Sequence, residues 1–428
     1  MTRIEPASSL VGHIAVPGDK SISHRAVLLA ALGEGETAIS GFGRSEDTEA
    51  TVRAVRSLGV AVDEKEVDEL VVGGVGLHGL RAPEAPIDCG NAGTLLRLLT
   101  GVLAGQDGRF ELTGDESLCR RPMERIAAPL RGMGARVETA EGRPPVVVRG
   151  ARLHGARHRL PLASAQVKSC LLLAGLVARE DETTVEEPLQ TRDHTELLLE
   201  SAGVSMRRSP RTATVRPGRA PSLGEVRVPG DFSSAAPFIV AATLLPGSRL
   251  TLHGVGLNPT RARLLDVLER MGGRLSVYNR HRLGAEWVGD LEVRSAELTA
   301  TAVEPAEVPL LIDELPLFAL LAGCARGESI VRGAAELREK ETDRIESVTT
   351  SLRALGVRIR ASDDGYRVRG VPTRPRGGGV SSAGDHRIAM LGAVAGLVSR
   401  QGVELEDAEA VAISFPGFFE LLDSVTQR

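Results

Sequence analysis

Lysine is nearly absent from this chain. Only Lys20, Lys65, Lys168 and Lys340 among its 52 basic residues are lysines, and the rest are arginines. A GC-rich coding sequence leaves such a bias, along with abundant Ala and Gly. Against that background a retained lysine is a candidate for a place that needs a compact ammonium rather than a planar fork. Cysteine is also scarce. Cys89, Cys119, Cys170 and Cys324 lie far apart with no C-x-x-C spacing, which excludes a disulfide frame or a zinc site and predicts free thiols in a reducing cytoplasm. No charge of one sign dominates, since the formal net charge is −4. That argues against nucleic acid or an anionic membrane as the main partner. Long apolar runs are missing too. The segment 388–398 is too short to span a bilayer, and the opening MTRIEPASSLVG lacks the apolar core of a secretory signal. A cytoplasmic protein is expected.

What is present is repetition. VPGDKS begins at Val16 and VPGDFS at Val228, close to half a chain apart in 428 residues. The second copy puts Phe232 where the first has Lys20. A length of 428 residues exceeds one comfortable core, so two domains are the default. Five helix-like segments stop in the same way, at VRSLGV, LRGMGARV, LESAGV, LERMGG and LRALGV, with Gly59, Gly134, Gly203, Gly272 and Gly356 just past the last apolar turn. Glycine there is the ordinary helix C-cap. FFELLDSV at the C-terminus is the sixth copy, cut short by the chain end. A second set of helices, apolar nearly all round, alternates with these and should be buried: AVLLAAL, LLRLLTGVLA, VKSCLLLAGLVA, APFIVAATLL, LPLFALLAGCA and RIAMLGAVAGLVS. Short strand patterns lie between the two sets (TAISG, RFELTG, TTVEE, RLTLHG, SIVRG, VELED). Each unit reads β-α-β-α-β-β and recurs six times, an α/β chain of two three-unit domains. The two VPGD turns then mark crossings near 16–20 and 227–231. One domain would join residues 1–18 to 229–428, and the other would be 19–228. Paired hinges of this kind commonly border a ligand cleft.

Cations gather just ahead of the helices, where unpaired N–H groups favour anions. The stretches are PGDKSISHR, DCGNAGTLLR, SLCRRP, ASAQVKS, TRDHTE, LIDELP, REKETDR and GDHR. They carry Lys20, Arg25, Arg97, Arg121, Lys168, Arg192, Lys340, Arg344 and Arg387. A single such arginine is often only a solvated surface group. Their recurrence at corresponding points of several repeats points to a substrate with more than one phosphate or carboxylate. GNAGT lacks the G-x-x-x-x-G-K-[ST] spacing of a triphosphate loop, and nothing has metal-ligand spacing. Two acids stand out. Asp313 sits in an apolar run, where it either caps the next helix or is chemically employed. Glu341 stands beside Lys340 and reads equally as a surface ion pair.

PGDKSISHR, GNAGT, RRP, SAQVKS, RDHTE, IDE, KETDR and DHR follow the order of the 5-enolpyruvylshikimate-3-phosphate synthase family, in its class II-like bacterial branch, and the chain resembles that family over nearly its whole length. The resemblance implies a two-domain, inside-out α/β barrel of the enolpyruvyl transferase kind, closing over its substrates. It implies that Lys20, Gly93, Arg121, Gln166, Arg344 and Arg387 hold phosphoenolpyruvate. It implies that Ser21, Arg25, Ser164, Gln166, Arg192, Asp313 and Lys340 hold shikimate 3-phosphate. Asp313 would take the proton of the 5-hydroxyl, Glu341 would deliver and later remove the proton at the enol methylene, and Lys20 would assist. No cofactor, metal, nucleic acid or membrane is implied, and a monomer is expected.

Two residues depart from that pattern. Ile413 stands where some members have a lysine three residues before Phe-Pro, and Leu98 stands where some have proline. Members with alanine at the position of Gly93 tend to resist glyphosate, so the glycine here predicts inhibition competitive with phosphoenolpyruvate. Two other readings stay open. A sister transferase acting on UDP-N-acetylglucosamine carries a reactive cysteine before an Arg-Pro, and Cys119 lies near Arg121-Pro122. A non-enzymatic repeat scaffold would instead spread apolar residues along one face, which an aromatic content of 3% does not favour.

Overall fold

The five glycines that close the outer helices all adopt left-handed backbone, with φ of 89° at Gly59, 93° at Gly134, 76° at Gly203, 90° at Gly272 and 89° at Gly356. Left-handed backbone costs a residue with a Cβ more than it costs glycine, so each ends its helix at the point the sequence marks. The helices so closed are Glu46–Ser57, Glu124–Gly132, His194–Ser201, Arg263–Arg270 and Arg344–Ala354, and Phe418–Val425 is the sixth of the set. The computed structural model describes residues 1–428.

The other six helices are Lys20–Ala31, Gly93–Leu103, Ala165–Leu176, Phe232–Leu244, Leu315–Cys324 and His386–Val398. They are buried around nearly their whole circumference, and His386–Val398 is buried at every position. Apolar all-round helices have no solvated face to offer, so they form the centre of each unit.

The chain packs as two units. The first comprises Met1–Pro17, Pro229–Arg282 and Trp287–Arg428; the second comprises Gly18–Val228 and Leu283–Glu286. Assigning the whole of 229–428 to one domain therefore needs correction at the tip of one hairpin. That tip groups with the second unit because Glu286, which is buried, takes a hydrogen-bonded position 2.6 Å from Nδ1 of His194.

Within each unit the apolar helices lie inside, as expected from the sequence, and the outer helices keep an exposed face. The second unit has three four-stranded sheets of one plan, in which a parallel edge strand, a central strand and a hairpin are laid in order. In the first of these, Glu225–Arg227 runs parallel to Glu34–Ser40, which pairs antiparallel with Glu69–Val75 and then Ala61–Glu66. The central strands Glu34–Ser40, Arg109–Thr113 and Thr183–Glu186 carry the patterns TAISG, RFELTG and TTVEE. In the first unit the same plan recurs in Ala302–Val303, Gly327–Val331, Gly365–Gly370 and Arg358–Ser362. A second sheet builds on Ser9–Ala15 and Arg249–Gly256, which pair in parallel. The sixth repeat has no hairpin after its central strand. Its central strand Val403–Glu406 is paired instead by Thr2–Ile4, with Thr2 opposite Leu405 and Ile4 opposite Val403. The N-terminal strand thus satisfies an edge that would otherwise be exposed.

The repeated turn has the same local role in both copies. The side chain of Asp19 accepts from the backbone N–H of Ile22 at 2.9 Å, and that of Asp231 accepts from Ser233 at 2.8 Å. Each aspartate caps an inner helix. Gly18 is required because a Cβ there would lie 1.8 Å from the carbonyl oxygen of Gly41. The residue after the cap has a different setting in each copy. Phe232 is wholly buried in the core of the first unit, whereas Lys20 keeps part of its surface and pairs with Asp47 at 2.7 Å.

Candidate active site

In the second unit the marked residues begin three inner helices. Lys20 is the first residue of Lys20–Ala31, and Arg25 lies one turn further. Arg25 is buried, yet its hydrogen bonds go to neutral groups: Nε to Thr195 Oγ1 at 2.7 Å, one Nη to the Ser21 carbonyl at 2.8 Å and the other to Ser169 Oγ at 3.0 Å. Burial brings its pKa down to about 10, with Arg192 adding to the fall and Glu196 and Asp19 opposing it. The guanidinium therefore remains cationic at neutral pH. A buried cation whose hydrogen bonds all go to neutral groups is poorly compensated, which favours an incoming anion. Arg192, half-buried ahead of His194–Ser201, adds a second positive charge to the same neighbourhood.

Gly93, the first residue of Gly93–Leu103, lies against two more arginines. A Cβ on Gly93 would meet Nη1 of Arg97 at 2.8 Å and Nη1 of Arg121 at 3.0 Å. Arg97 donates to Gln166 Oε1 at 2.7 Å, and Gln166 in turn donates to Thr94 Oγ1 at 2.9 Å. Arg121 donates to Asn91 Oδ1 at 2.6 Å. Gly93, Arg97, Arg121 and Gln166 thus form one patch. Ser164 is the N-cap of Ala165–Leu176, accepting from Val167 at 3.5 Å. Lys168 is a different matter. Its ammonium is buried between Glu187 at 2.9 Å and Glu196 at 2.7 Å. Burial works against its charge, but the two carboxylates overcome that and hold its pKa above the usual lysine value. Lys168 is spent on structure.

The first unit assembles the acids. Arg344, the first residue of Arg344–Ala354, is buried and serves three carboxylates. Nε lies 2.8 Å from Asp385, one Nη lies 2.5 Å from Glu341, and the other lies 3.4 Å from Asp313. Burial lowers its pKa, but Asp385 and Glu341 outweigh that and raise it above the usual value. Asp385 is itself the cap of His386–Val398, accepting from Arg387 N at 2.8 Å. Arg387 donates to the Ser233 carbonyl at 3.4 Å and has Asp313 at 4.0 Å. Lys340 lies 3.9 Å from Glu336 and keeps about a quarter of its side-chain surface. Its pKa is lowered by desolvation, with Glu336 and Asp313 opposing. Asp313, Glu341, Lys340, Arg344 and Arg387 therefore stand together. Asp313 forms part of a turn before Leu315–Cys324 and is not the cap of that helix, which has no side-chain cap.

Sequence reasoning missed Arg261 and Glu314. Both are buried, and they pair at 3.1 Å beside Asp313. Arg261 precedes an outer helix, as Arg121 and Arg192 do, but its turn lies outside the motifs singled out from sequence. The only signal was the turn Asn258-Pro259-Thr260, closed by the Asn258 side chain accepting from Thr260 N at 2.8 Å.

A family model described as EPSP synthase (3-phosphoshikimate 1-carboxyvinyltransferase) matches residues 4–422. The chain belongs to the EPSP synthase family. It is 50% identical to a 3-phosphoshikimate 1-carboxyvinyltransferase of Alkalilimnicola ehrlichii over 98% of this chain and 94% of that one. Identity to the enzyme of that name from Lactiplantibacillus plantarum is 49%, over 99% and 98%. Among solved structures, EPSP synthase from Acinetobacter baumannii superimposes with a TM-score of 0.87 at 40% identity, over 99% of this chain and 97% of that one. The enolpyruvyl transferase NikO of Streptomyces tendae shares the fold, with a TM-score of 0.78 at 21% identity over 99% and 96%.

The two departures from the family's pattern sit in apolar surroundings. Leu98 is wholly buried, and Ile413 is half-buried against the core of the first unit. Cys119 donates its thiol to the Gly114 carbonyl at 3.4 Å. All four cysteines are free, no group of His, Cys, Asp and Glu is disposed to hold a metal, and no helix is long and apolar enough to cross a membrane.

Removing the ammonium between Glu187 and Glu196 leaves two buried carboxylates facing each other. Lys168→Met should therefore destabilise the fold by about 3–5 kcal/mol, seen as a lower midpoint of urea unfolding.

Proposed function

We propose that this chain transfers the enolpyruvyl group of phosphoenolpyruvate to the 5-hydroxyl of shikimate 3-phosphate and releases inorganic phosphate. The observation that carries this reading is the gathering of Asp313 and Glu341 on one buried guanidinium, that of Arg344, with Arg387 and Lys340 beside them. Such an arrangement provides two carboxylates for proton transfer next to cations that stabilise a phosphorylated, carboxylated substrate.

In the reaction so read, Asp313 takes the proton of the 5-hydroxyl as that oxygen bonds to C2 of phosphoenolpyruvate. Glu341 protonates the methylene carbon, whose neighbour becomes positive as it does so. The product of addition is a tetrahedral ketal phosphate. Elimination returns a methyl proton to Glu341 while the C2–O bond to phosphate breaks. Lys20, Arg121, Arg344 and Arg387 would neutralise the phosphate and carboxylate of phosphoenolpyruvate, with Gly93 and Gln166 shaping that pocket. Ser21, Arg25, Ser164, Gln166, Arg192 and Lys340 would hold shikimate 3-phosphate. With Ile413 in place of a lysine, charge neutralisation leans on Arg121, Arg387 and Lys20. The reaction needs no cofactor, and a soluble cytoplasmic monomer suits it.

Phosphate release should be measured with phosphoenolpyruvate plus either shikimate 3-phosphate or UDP-N-acetylglucosamine. Turnover with the first alone is expected. Turnover with the second favours the sister transferase, and release with neither favours a scaffold. Asp313→Ala and Glu341→Ala should each lose roughly 10²–10⁴-fold in kcat while remaining folded, the usual contribution of acid–base groups. Near-normal turnover in either removes that residue from its role.

Gly93→Ala would press a methyl group onto Arg97 and Arg121, both engaged in hydrogen bonds. KM for phosphoenolpyruvate should rise roughly tenfold, equivalent to about 1.4 kcal/mol. Glyphosate, expected to compete with phosphoenolpyruvate in the unsubstituted chain, should inhibit this variant less. Unchanged KM and inhibition would place the substrate elsewhere.

A further inference from the structure

Behind Asp313 lies a second layer of buried charge that the enolpyruvyl transfer does not use. Glu314 has no accessible surface and Arg261 almost none. One Nη of Arg261 lies 3.1 Å from Glu314 Oε1 and 3.9 Å from Asp313 Oδ2. Its other Nη lies 3.3 Å from Asp231, the cap of Phe232–Leu244, and donates to Ser233 Oγ. Ser233 Oγ donates in turn to Glu314 Oε1, while Glu314 Oε2 has no hydrogen-bond partner. A carboxylate buried with one bare oxygen is costly to keep and calls for a reason.

We propose that Glu314 is a positioning residue, which holds Arg261 back from Asp313. The inference rests on the reading of Asp313 as the base. Guanidinium groups lie 3.4 Å (Arg344), 3.9 Å (Arg261) and 4.0 Å (Arg387) from Asp313. All three distances are longer than the 2.7–2.9 Å of a close charge-assisted hydrogen bond. Each of these arginines has another oxygen nearer to it. For Arg344 these are Asp385 and Glu341, and for Arg387 it is the Ser233 carbonyl. For Arg261 it is Glu314. Lys340 also acts on Asp313 through space. A base with its oxygens filled by close arginines could not accept the substrate hydroxyl. Glu314 is adjacent in sequence and shares Arg261, so it is placed to set how far that charge leans onto Asp313.

The test is steady-state kinetics of the full chain carrying Glu314→Gln, with phosphoenolpyruvate and shikimate 3-phosphate. With its competitor neutral, Arg261 should move onto Asp313. The kcat should fall about tenfold, as for one unit of lost base strength, with both KM values within about twofold. The acidic limb of the kcat–pH profile should move to lower pH, because a carboxylate held closer to a cation keeps its charge further into acid. Adding Arg261→Gln removes the intruding charge and should restore most of the lost kcat. An unchanged kcat in Glu314→Gln overturns the proposal. So does a double variant that regains nothing, since Glu314 would then matter only for packing. Should Glu314→Gln not fold, Glu314→Asp keeps the charge but shortens the reach, and should show the same loss confined to kcat; unchanged kcat there overturns the proposal too. Asp313→Asn is run in parallel. Full turnover in that variant refutes the base assignment itself, whereas a dead Asp313→Asn beside a normal Glu314→Gln refutes only the positioning role.

Discussion

A guanidinium taken out of water must be surrounded by oxygen, and Arg344 meets that demand with three carboxylates at once. Asp385 takes two of its nitrogens, Glu341 takes a close contact and Asp313 a longer one. The rest of the acid site derives from this one buried cation. Because Asp385 also caps His386–Val398, Arg344 is fixed to an inner helix as well as to its own. Removing water from such a cluster strengthens every interaction in it, the attractive and the repulsive. The cluster can hold Asp313, Glu341 and Asp385 on one guanidinium only because arginine keeps its proton.

Helix starts are a poor place for cations, since the helix dipole is positive there. Lys20 and Arg344 nonetheless open their helices and Arg387 is the second residue of its own. The cost is offset locally by capping aspartates: Asp19 before Lys20, Asp343 before Arg344 and Asp385 before Arg387. The cap engages the backbone N–H groups, and the side-chain charge beyond it finds carboxylates elsewhere in the fold: Asp47 for Lys20, and Asp385, Glu341 and Asp313 for Arg344.

Much of this was legible in the sequence, because the signals are local. A glycine after the last apolar turn, an aspartate before a helix and a run of leucines without a polar face each report on a few neighbouring residues. All five helix-closing glycines and the six central strands could be placed that way. Three features could not. The pairing of Thr2–Ile4 with Val403–Glu406 joins the two ends of the chain, and no local pattern marks it. Lys168 read as a binding cation because Glu187 and Glu196 reach it only through the fold. Arg261 and Glu314 stayed hidden because a single arginine in a turn and a glutamate beside Asp313 look ordinary until burial is known.

The doubled VPGD turn keeps one residue in both copies and changes the next. Its aspartate is retained in both because each inner helix needs a cap, a requirement of the backbone alone. The next residue answers to tertiary surroundings. In the first unit Phe232 has no exposure at all, and a cation there would be buried in an apolar core. In the second unit Lys20 retains 18% of its side-chain surface and has Asp47 as a partner. An ammonium held by one carboxylate and still partly open to water can exchange that partner for a phosphate or carboxylate at modest cost. The same residue in the place of Phe232 would have to unfold its surroundings to do so.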